Sequence, residues 1–200
     1  FTITKQNNSK GYFNMEKIIW RVEYTSLPRV KKYCKKCGKK SEFLSSKLFR
    51  VNANQKNLDV WLIYNCSNCK TTWKQELFSR VKHNYFSREM LDKFYGNDTE
   101  LAHYYTMSCN HLSKTGFEIL PPTYSLIGEH IDIYTENSFE IHLKSDYQFD
   151  IKLMSILKEK LCISNSRLDY LIKNNKIFCN MDRKIKKCKL QKEQIIYLTT

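Results

Sequence analysis

The first third of the chain alternates apolar and polar residues in the manner of half-buried β-strands. Apolar side chains at 18, 20, 22 and 24 alternate with charged ones at 17, 21 and 23, and Leu27-Pro28 ends that run. Two further apolar runs, 43–51 and 58–64, flank a short polar segment that is typical of a hairpin turn. The pattern therefore predicts a β domain over residues 15–81.

The middle of the chain, residues 82–149, carries helical patterns. Ser87 can cap a first helix that Gly96 ends, and Asp98 or Thr99 can begin a second one. Residues 139–143 alternate again like a strand. We expect two helices and a strand here.

The last segment, residues 150–200, has the order helix, helix, strand. Ser164 can cap the second helix, and Asn174-Asn175 can end it because Asn tolerates a left-handed backbone. Two short apolar runs near the C-terminus then predict strands. The whole pattern predicts an α+β protein with an N-terminal β module, a helical and β middle segment, and a small C-terminal α-α-β module.

Charge is unevenly distributed along the 200 residues, whose formal net charge is +14. Residues 1–80 hold 17 Lys and Arg against 5 Asp and Glu, residues 81–149 hold 5 against 10, and residues 150–200 hold 12 against 5. A Lys-rich coding bias would act evenly, so basic ends around an acidic middle favour contact with polyanions. Residues 1–14 are expected to form a disordered or non-native leader. With no long apolar run, we expect a cytoplasmic protein with no membrane partner.

Four cysteines give the most specific chemical pattern. Two CxxC motifs, Cys34 with Cys37 and Cys66 with Cys69, are separated by 28 residues. Two such turns can complete a tetrahedron of thiolates around one Zn(II), with Zn–S bonds of about 2.3 Å. A redox pair and unrelated core cysteines are the alternatives, and the sequence does not exclude them. A tetrathiolate set leaves no open coordination position, so we expect one structural zinc ion, and the β module of residues 15–81 is expected to be zinc-ribbon-like.

The remaining cysteines and histidines form no recognised motif. Cys109, Cys162, Cys179 and Cys188 have no CxxC companion, and the five histidines are scattered. Phosphate-binding loops, nucleophile elbows and dinucleotide fingerprints are missing from the sequence. We therefore assign no catalytic residue and expect a protein that is not an enzyme.

The stretch 49–69, which ends in the second CxxC motif, together with Thr72-Trp73 resembles the signature of an uncharacterised bacterial family, domain of unknown function 1062. The resemblance runs from Met15 to the C-terminus. It implies that the chain has relatives in this family, but it indicates no function, because the family has no established activity.

Residues 153–177 look like the alpha-L RNA-binding motif of a small-subunit ribosomal protein, pseudouridine synthases and ribosome-rescue factors. The resemblance implies two helices on a small sheet, with the second helix presenting basic residues to structured RNA. Asn175 stands where that motif usually has Gly, and 180–183 lacks its usual Asn-Gly turn. The residues that would contact RNA are Arg167, Tyr170, Lys173, Lys176, Lys184, Lys186 and Lys187.

Two functions follow from these observations. The first is a zinc-containing binding protein whose basic C-terminal module contacts structured RNA, of the ribosome or tRNA. The alternative is a protein-interaction or homodimerisation module with a purely structural zinc site, in which Phe94, Tyr95, Tyr104 and Tyr105 form the partner surface. A solvated helix face is the simplest explanation of the lysines in the C-terminal segment.

Overall fold

A computed structural model describes residues 15–54, 57–109, 112, 115–179 and 185–199. Within these ranges the chain forms four α-helices and two five-stranded sheets, which confirms the α+β class. It divides into two compact units. The central unit is Tyr24–Tyr124, and the terminal unit consists of the described residues of 1–23 and 125–200.

The central unit is built on an antiparallel sheet in the order β5-β4-β3-β2-β6. Its long β3–β4 hairpin confirms the predicted one, since pairing continues to Asn54 opposite Asn57. Residues 55–56 of the predicted turn lie outside the described residues. The strands are β2 (Arg29–Cys34), β3 (Lys39–Asn54), β4 (Asn57–Cys66), β5 (Thr72–Lys82) and β6 (Glu118–Leu120).

Two short helices, α1 (Arg88–Tyr95) and α2 (Thr99–Met107), follow a 3-10 turn at His83–Tyr85. The Ser87 hydroxyl accepts the N–H of Met90, and the Asp98 carboxylate accepts the N–H of Leu101, so both predicted caps are confirmed. Each cap satisfies a backbone donor that the first helical turn would otherwise leave unpaired.

The terminal unit is built on a sheet in the order β7-β1-β8-β10-β9. β1 lies parallel to β8, from Glu16 opposite Phe139 to Val22 opposite Ser145. The predicted β domain, residues 15–81, therefore does not coincide with either compact unit. The reason is that β1 pairs with a strand more than a hundred residues away. The strands are β1 (Glu16–Tyr24), β7 (Tyr124–Ile127), β8 (Phe139–Ser145), β9 (Ile177–Cys179) and β10 (Glu193–Leu198).

Helices α3 (Leu153–Lys160) and α4 (Asn165–Lys173) belong to the same unit, and their leucine and isoleucine faces are buried. Ser164 caps α4 through the N–H of Arg167, and Asn174 and Asn175, the latter at φ 53°, end it as predicted. A 3-10 turn at Ile185–Lys187 precedes β10. The predicted turn 180–183 lies outside the described residues.

One glycine in this unit has a conformation that an L side chain rarely adopts. Gly128 has φ +125°, and a Cβ there would overlap the backbone oxygen of Ile19 and the indole of Trp20. The Trp20 indole N–H donates to the backbone oxygen of Glu129 at 3.0 Å. The backbone therefore passes closely over a buried indole. Across the described ranges, none of the helices combines the length and apolar character that crossing a bilayer requires.

Candidate metal centre

The first knuckle, Cys34 to Gly38, connects β2 to β3. Cys34 is the last residue of β2, and the N–H of Gly38 donates to its carbonyl oxygen at 2.9 Å. Gly38 has φ +67°, a left-handed conformation that glycine adopts at little cost. The CxxCG sequence therefore closes a tight turn in which both thiols can face the same point.

The second knuckle, Cys66 to Lys70, connects β4 to β5 in the same way. The N–H of Lys70 donates to the carbonyl of Cys66 at 3.1 Å, and Lys70 has φ +61°. Cys66 lies opposite Phe43 on β3, and the N–H of Ser67 donates to the carbonyl of Glu42 at 2.9 Å. The register of the hairpin thus brings the second knuckle to the first.

All four predicted cysteines are brought together. The distance from Cys34 Sγ to Cys69 Sγ is 3.5 Å, that from Cys37 Sγ to Cys66 Sγ is 3.8 Å, and all four sulfurs lie within 4.8 Å of one another. A tetrahedron with Zn–S bonds of about 2.3 Å has sulfur–sulfur edges of about 3.8 Å. The donor set and its spacing therefore fit a tetrathiolate metal ion.

Hydrogen bonds lower the pKa of both thiols of the second knuckle. The hydroxyl and N–H of Thr71 lower the pKa of Cys69 to about 6, and the N–H groups of Cys69 and Asn68 lower the pKa of Cys66. The pKa of Cys37 is raised to about 12, mainly by its hydrogen bond with Cys69. A divalent cation among the sulfurs would lower the pKa of all four thiols, including that of Cys37, because it favours the thiolate form.

Beside the cluster, the ammonium group of Lys32 lies among three aromatic rings. Lys32 Nζ is 4.9 Å from the ring centroid of Phe43, 4.8 Å from that of Trp73 and 5.8 Å from that of Phe117. Burial lowers the pKa of Lys32, while the Cys34 thiolate opposes this shift. Lys32 is thus a half-buried cation held by cation–π contacts next to the sulfurs. The neighbouring CxxC motif does not predict these ring contacts, because they depend on the register of the sheet.

The other four cysteines are not members of this group. Among the described residues, Cys34, Cys37, Cys66 and Cys69 are the only cluster of potential metal ligands. Cys109 is buried in the central unit, and burial raises the pKa of its thiol to about 12. In the terminal unit, Cys179 Sγ and Cys188 Sγ are 3.9 Å apart, whereas Cys162 is exposed.

The structure places most of the predicted RNA-contacting residues on or after α4. Tyr170, Lys173 and Lys187 are exposed, and Lys176 is half-buried. Lys186 Nζ forms an ion pair with Asp169 at 2.6 Å, which neutralises one of the predicted cations. Lys184 lies outside the described residues.

Arg167 has a neighbour that sequence reasoning missed. Its guanidinium carbon is 5.3 Å from the ring centroid of Tyr170 and 6.0 Å from that of Tyr134. Tyr134 lies in the loop before β8 and is 79% exposed, and Tyr170 is 54% exposed. Nothing in the local sequence around Tyr134 pointed to this contact, because it is made across a loop 33 residues from Arg167.

The predicted partner surface of the acidic middle segment needs one correction. Phe94 is buried and packs edge-to-face against Phe49, Phe78 and Phe86. Its apolar neighbours on β3 and β5 explain this burial, since α1 covers that part of the sheet. Tyr95 and Tyr104 are exposed, as expected.

The protein is thus an α+β protein with a four-cysteine cluster that could hold a metal ion. The chain belongs to the family described as Protein of unknown function (DUF1062), whose model matches residues 51–183, and the family resemblance seen in the sequence is confirmed. Neither the curated proteins nor the solved structures contain a match. The alpha-L likeness of the C-terminal segment stays a prediction.

Proposed function

We propose that this protein is a non-enzymatic, zinc-containing protein that binds structured RNA through α4 of its terminal unit. The observation that supports this most is that the guanidinium group of Arg167 lies beside the rings of both Tyr134 and Tyr170. Arg167 donates from a fixed fork that suits phosphate, and tyrosine rings offer faces on which unpaired bases stack. Contacts of these kinds are common in the recognition of RNA loops and bulges.

The cations around this group are of unequal value for binding phosphate. Lys173 and Lys187 are exposed and can neutralise phosphates through counterion release. Lys186 is already paired with Asp169. We therefore assign the largest contribution to Arg167, with Lys173 and Lys187 adding salt-dependent affinity.

In this proposal the four cysteines hold one structural Zn(II). Cys34, Cys37, Cys66 and Cys69 would supply four thiolates, and a filled tetrahedron has no position for an activated water. The ion would crosslink the turn after β2 to the turn after β4. This scaffold role supports a binding protein and gives no reason to expect catalysis.

The test is the affinity for a fluorescein-labelled RNA stem–loop as a function of salt. Arg167→Gln should weaken binding about tenfold, because it removes a charged donor that is worth one to three kcal/mol in such contacts. Arg21→Gln is the matched control, since Arg21 is an exposed arginine of β1 in the same unit. Equal losses from the two substitutions, or no binding by the wild-type protein at low salt, would contradict the proposal.

A protein partner is the second candidate, favoured by three exposed tyrosines of the central unit. Tyr85, Tyr95 and Tyr104 are all more than half exposed. Interfaces are enriched in tyrosine at their centres. If they form a homodimer interface, light scattering should give twice the chain mass, and replacing all three with Ser should return the mass to that of one chain.

A further inference from the structure

The segment around the first knuckle has an excess of positive charge. Residues 29–41 contain seven Lys and Arg and no Asp or Glu. Two of these cations form ion pairs: Arg29 with Glu42 at 2.7 Å and Lys31 with Glu118 at 3.4 Å. A third, Lys32, lies among the aromatic rings described above. Four lysines of the segment remain.

All four are exposed, and we refer to them together as the knuckle surface: Lys35, Lys36, Lys39 and Lys40. The geometry of the knuckle explains their exposure. Lys35 and Lys36 lie between two cysteines whose thiols face the cluster, and Lys39 and Lys40 begin β3 immediately after the turn. In the part of the chain that the structure describes, none of the four forms an ion pair.

An exposed aromatic residue lies at the edge of the knuckle surface. Tyr33 is directly opposite Lys40 in the pairing of β2 with β3, and its side chain is 57% exposed. Directly opposite residues in an antiparallel pair have Cβ atoms about 5 Å apart. A ring on which a base can stack therefore lies next to a cation that can reach the adjoining phosphate.

Charge balance with a bound metal does not account for all of these lysines. Four thiolates on a divalent ion carry a net charge of about −2. Cys34 and Cys66 are fully buried, and Lys32 is the cation whose pKa responds to the Cys34 thiolate. Backbone N–H groups also donate to the sulfurs of Cys66 and Cys69. The four exposed lysines are therefore in excess of what the cluster needs.

We infer that the knuckle surface is a second RNA-binding site, in which the four lysines contact the phosphate backbone and Tyr33 stacks on a base. This inference rests on the proposed function and extends it to the central unit. The knuckle is closed by backbone hydrogen bonds and by the cysteine cluster, so little backbone freedom is lost when RNA binds.

The experiment measures binding of the same labelled RNA stem–loop from about 50 to about 200 mM KCl. The variant K35Q/K36Q/K39Q/K40Q should lower the magnitude of the log–log salt slope by about 3, since each phosphate contact contributes roughly 0.7 to 0.9. The ratio of wild-type to variant affinity should consequently be about 60-fold larger at the low salt concentration than at the high one. Tyr33→Leu should weaken binding without changing the slope.

A matched variant removes the same formal charge from exposed lysines elsewhere in the chain: K17Q/K82Q/K152Q/K192Q. Its slope should stay near that of the wild-type protein. Zinc content and circular dichroism of each variant show that the fold is retained. Equal slopes for the knuckle variant and this control would overturn the inference.

The failure of this inference can be told apart from the failure of the proposed function by adding Arg167→Gln to the series. If Arg167→Gln weakens binding and the knuckle variant does not, the inference is wrong and the α4 site stands. If only the knuckle variant weakens binding, the inference is supported and the α4 site is wrong. Absence of wild-type binding at the lowest salt concentration would overturn both.

Discussion

If the four cysteines hold the proposed zinc ion, its removal should unfold the central unit. The four cysteines lie in the turn after β2 and the turn after β4, so a bound ion would crosslink these turns and close a loop that contains β3 and β4. Cys69→Ser removes one ligand, and an excess of a chelator removes the ion itself. Both changes should leave the same state, because three thiolates hold Zn(II) far more weakly than four.

The expected magnitude follows from two free energies. Apparent zinc-binding energies of about 10 to 16 kcal/mol at neutral pH are part of the folding energy of small zinc modules. Domains of this size have total stabilities of about 5 to 15 kcal/mol. The contribution of the metal is thus as large as the whole margin, and we expect the metal-free unit to be unfolded at room temperature.

Tryptophan fluorescence can follow the transition close to the cluster. Trp73 packs against Phe43, Tyr64 and Phe117, and Lys32 Nζ lies 4.8 Å from the centroid of its ring. Unfolding should shift its emission to longer wavelengths as water reaches the indole. Trp73→Phe identifies which part of the spectral change comes from this residue.

Cys162→Ser is the matched control for Cys69→Ser. Cys162 is an exposed thiol in the terminal unit, and it lies outside the cluster. Its substitution should change neither the metal content nor the urea midpoint. The reasoning would be refuted if Cys69→Ser kept one equivalent of metal and an unchanged midpoint, or if purified, untreated protein contained no metal.

Three other perturbations test parts of the fold and the site. Lys32→Met keeps a long apolar side chain among the rings but removes the charge. The metal affinity, measured by competition with a chromophoric chelator, should therefore fall about tenfold. Lys32→Arg keeps the charge and should keep the wild-type metal affinity. Phe94→Ala should lower the free energy of unfolding by about 3 to 5 kcal/mol, because the ring is 1% exposed, whereas Tyr95→Ala, at 57% exposure, should change it by no more than about 0.5 kcal/mol. Gly128→Ala should be more destabilising than Gly116→Ala. An alanine at either position has a positive φ, which costs roughly 1 to 2 kcal/mol, but the Cβ at 116 would meet open space, whereas the Cβ at 128 would overlap the backbone of Ile19. Similar urea midpoints for the two variants would contradict the described backbone contact.

The features that the sequence predicted well depend on residues close together in the chain. A CxxC knuckle, the Ser87 and Ser164 caps, and the β3–β4 hairpin are each defined within a few turns of backbone. Even the meeting of the two knuckles follows from hairpin register, because β3 starts just after the first and β4 ends at the second.

The features that the sequence could not predict depend on long-range pairing. The alternation in β1 shows a strand but does not identify its partner, and β8 is a parallel neighbour that no turn connects to it. For the same reason Tyr134 gave no sign of lying beside Arg167. The ring contacts of Lys32, which set it apart from the other lysines of the first knuckle, also depend on how the strands pair.

The central sheet is stabilised at two separate places, and this makes a quantitative prediction. Cys66 lies opposite Phe43, whereas Phe49, which contacts Phe94, lies opposite Leu62, four residues away along β4, a distance of about 13 Å. Effects of substitutions this far apart normally add within about 0.5 kcal/mol when they act on one cooperative unit. In zinc-loaded protein, the free-energy changes of Lys32→Met and Phe94→Ala should therefore sum to that of the double variant. A double variant whose loss fell short of this sum by more than about 1 kcal/mol would show that the knuckle end and the aromatic cluster unfold separately.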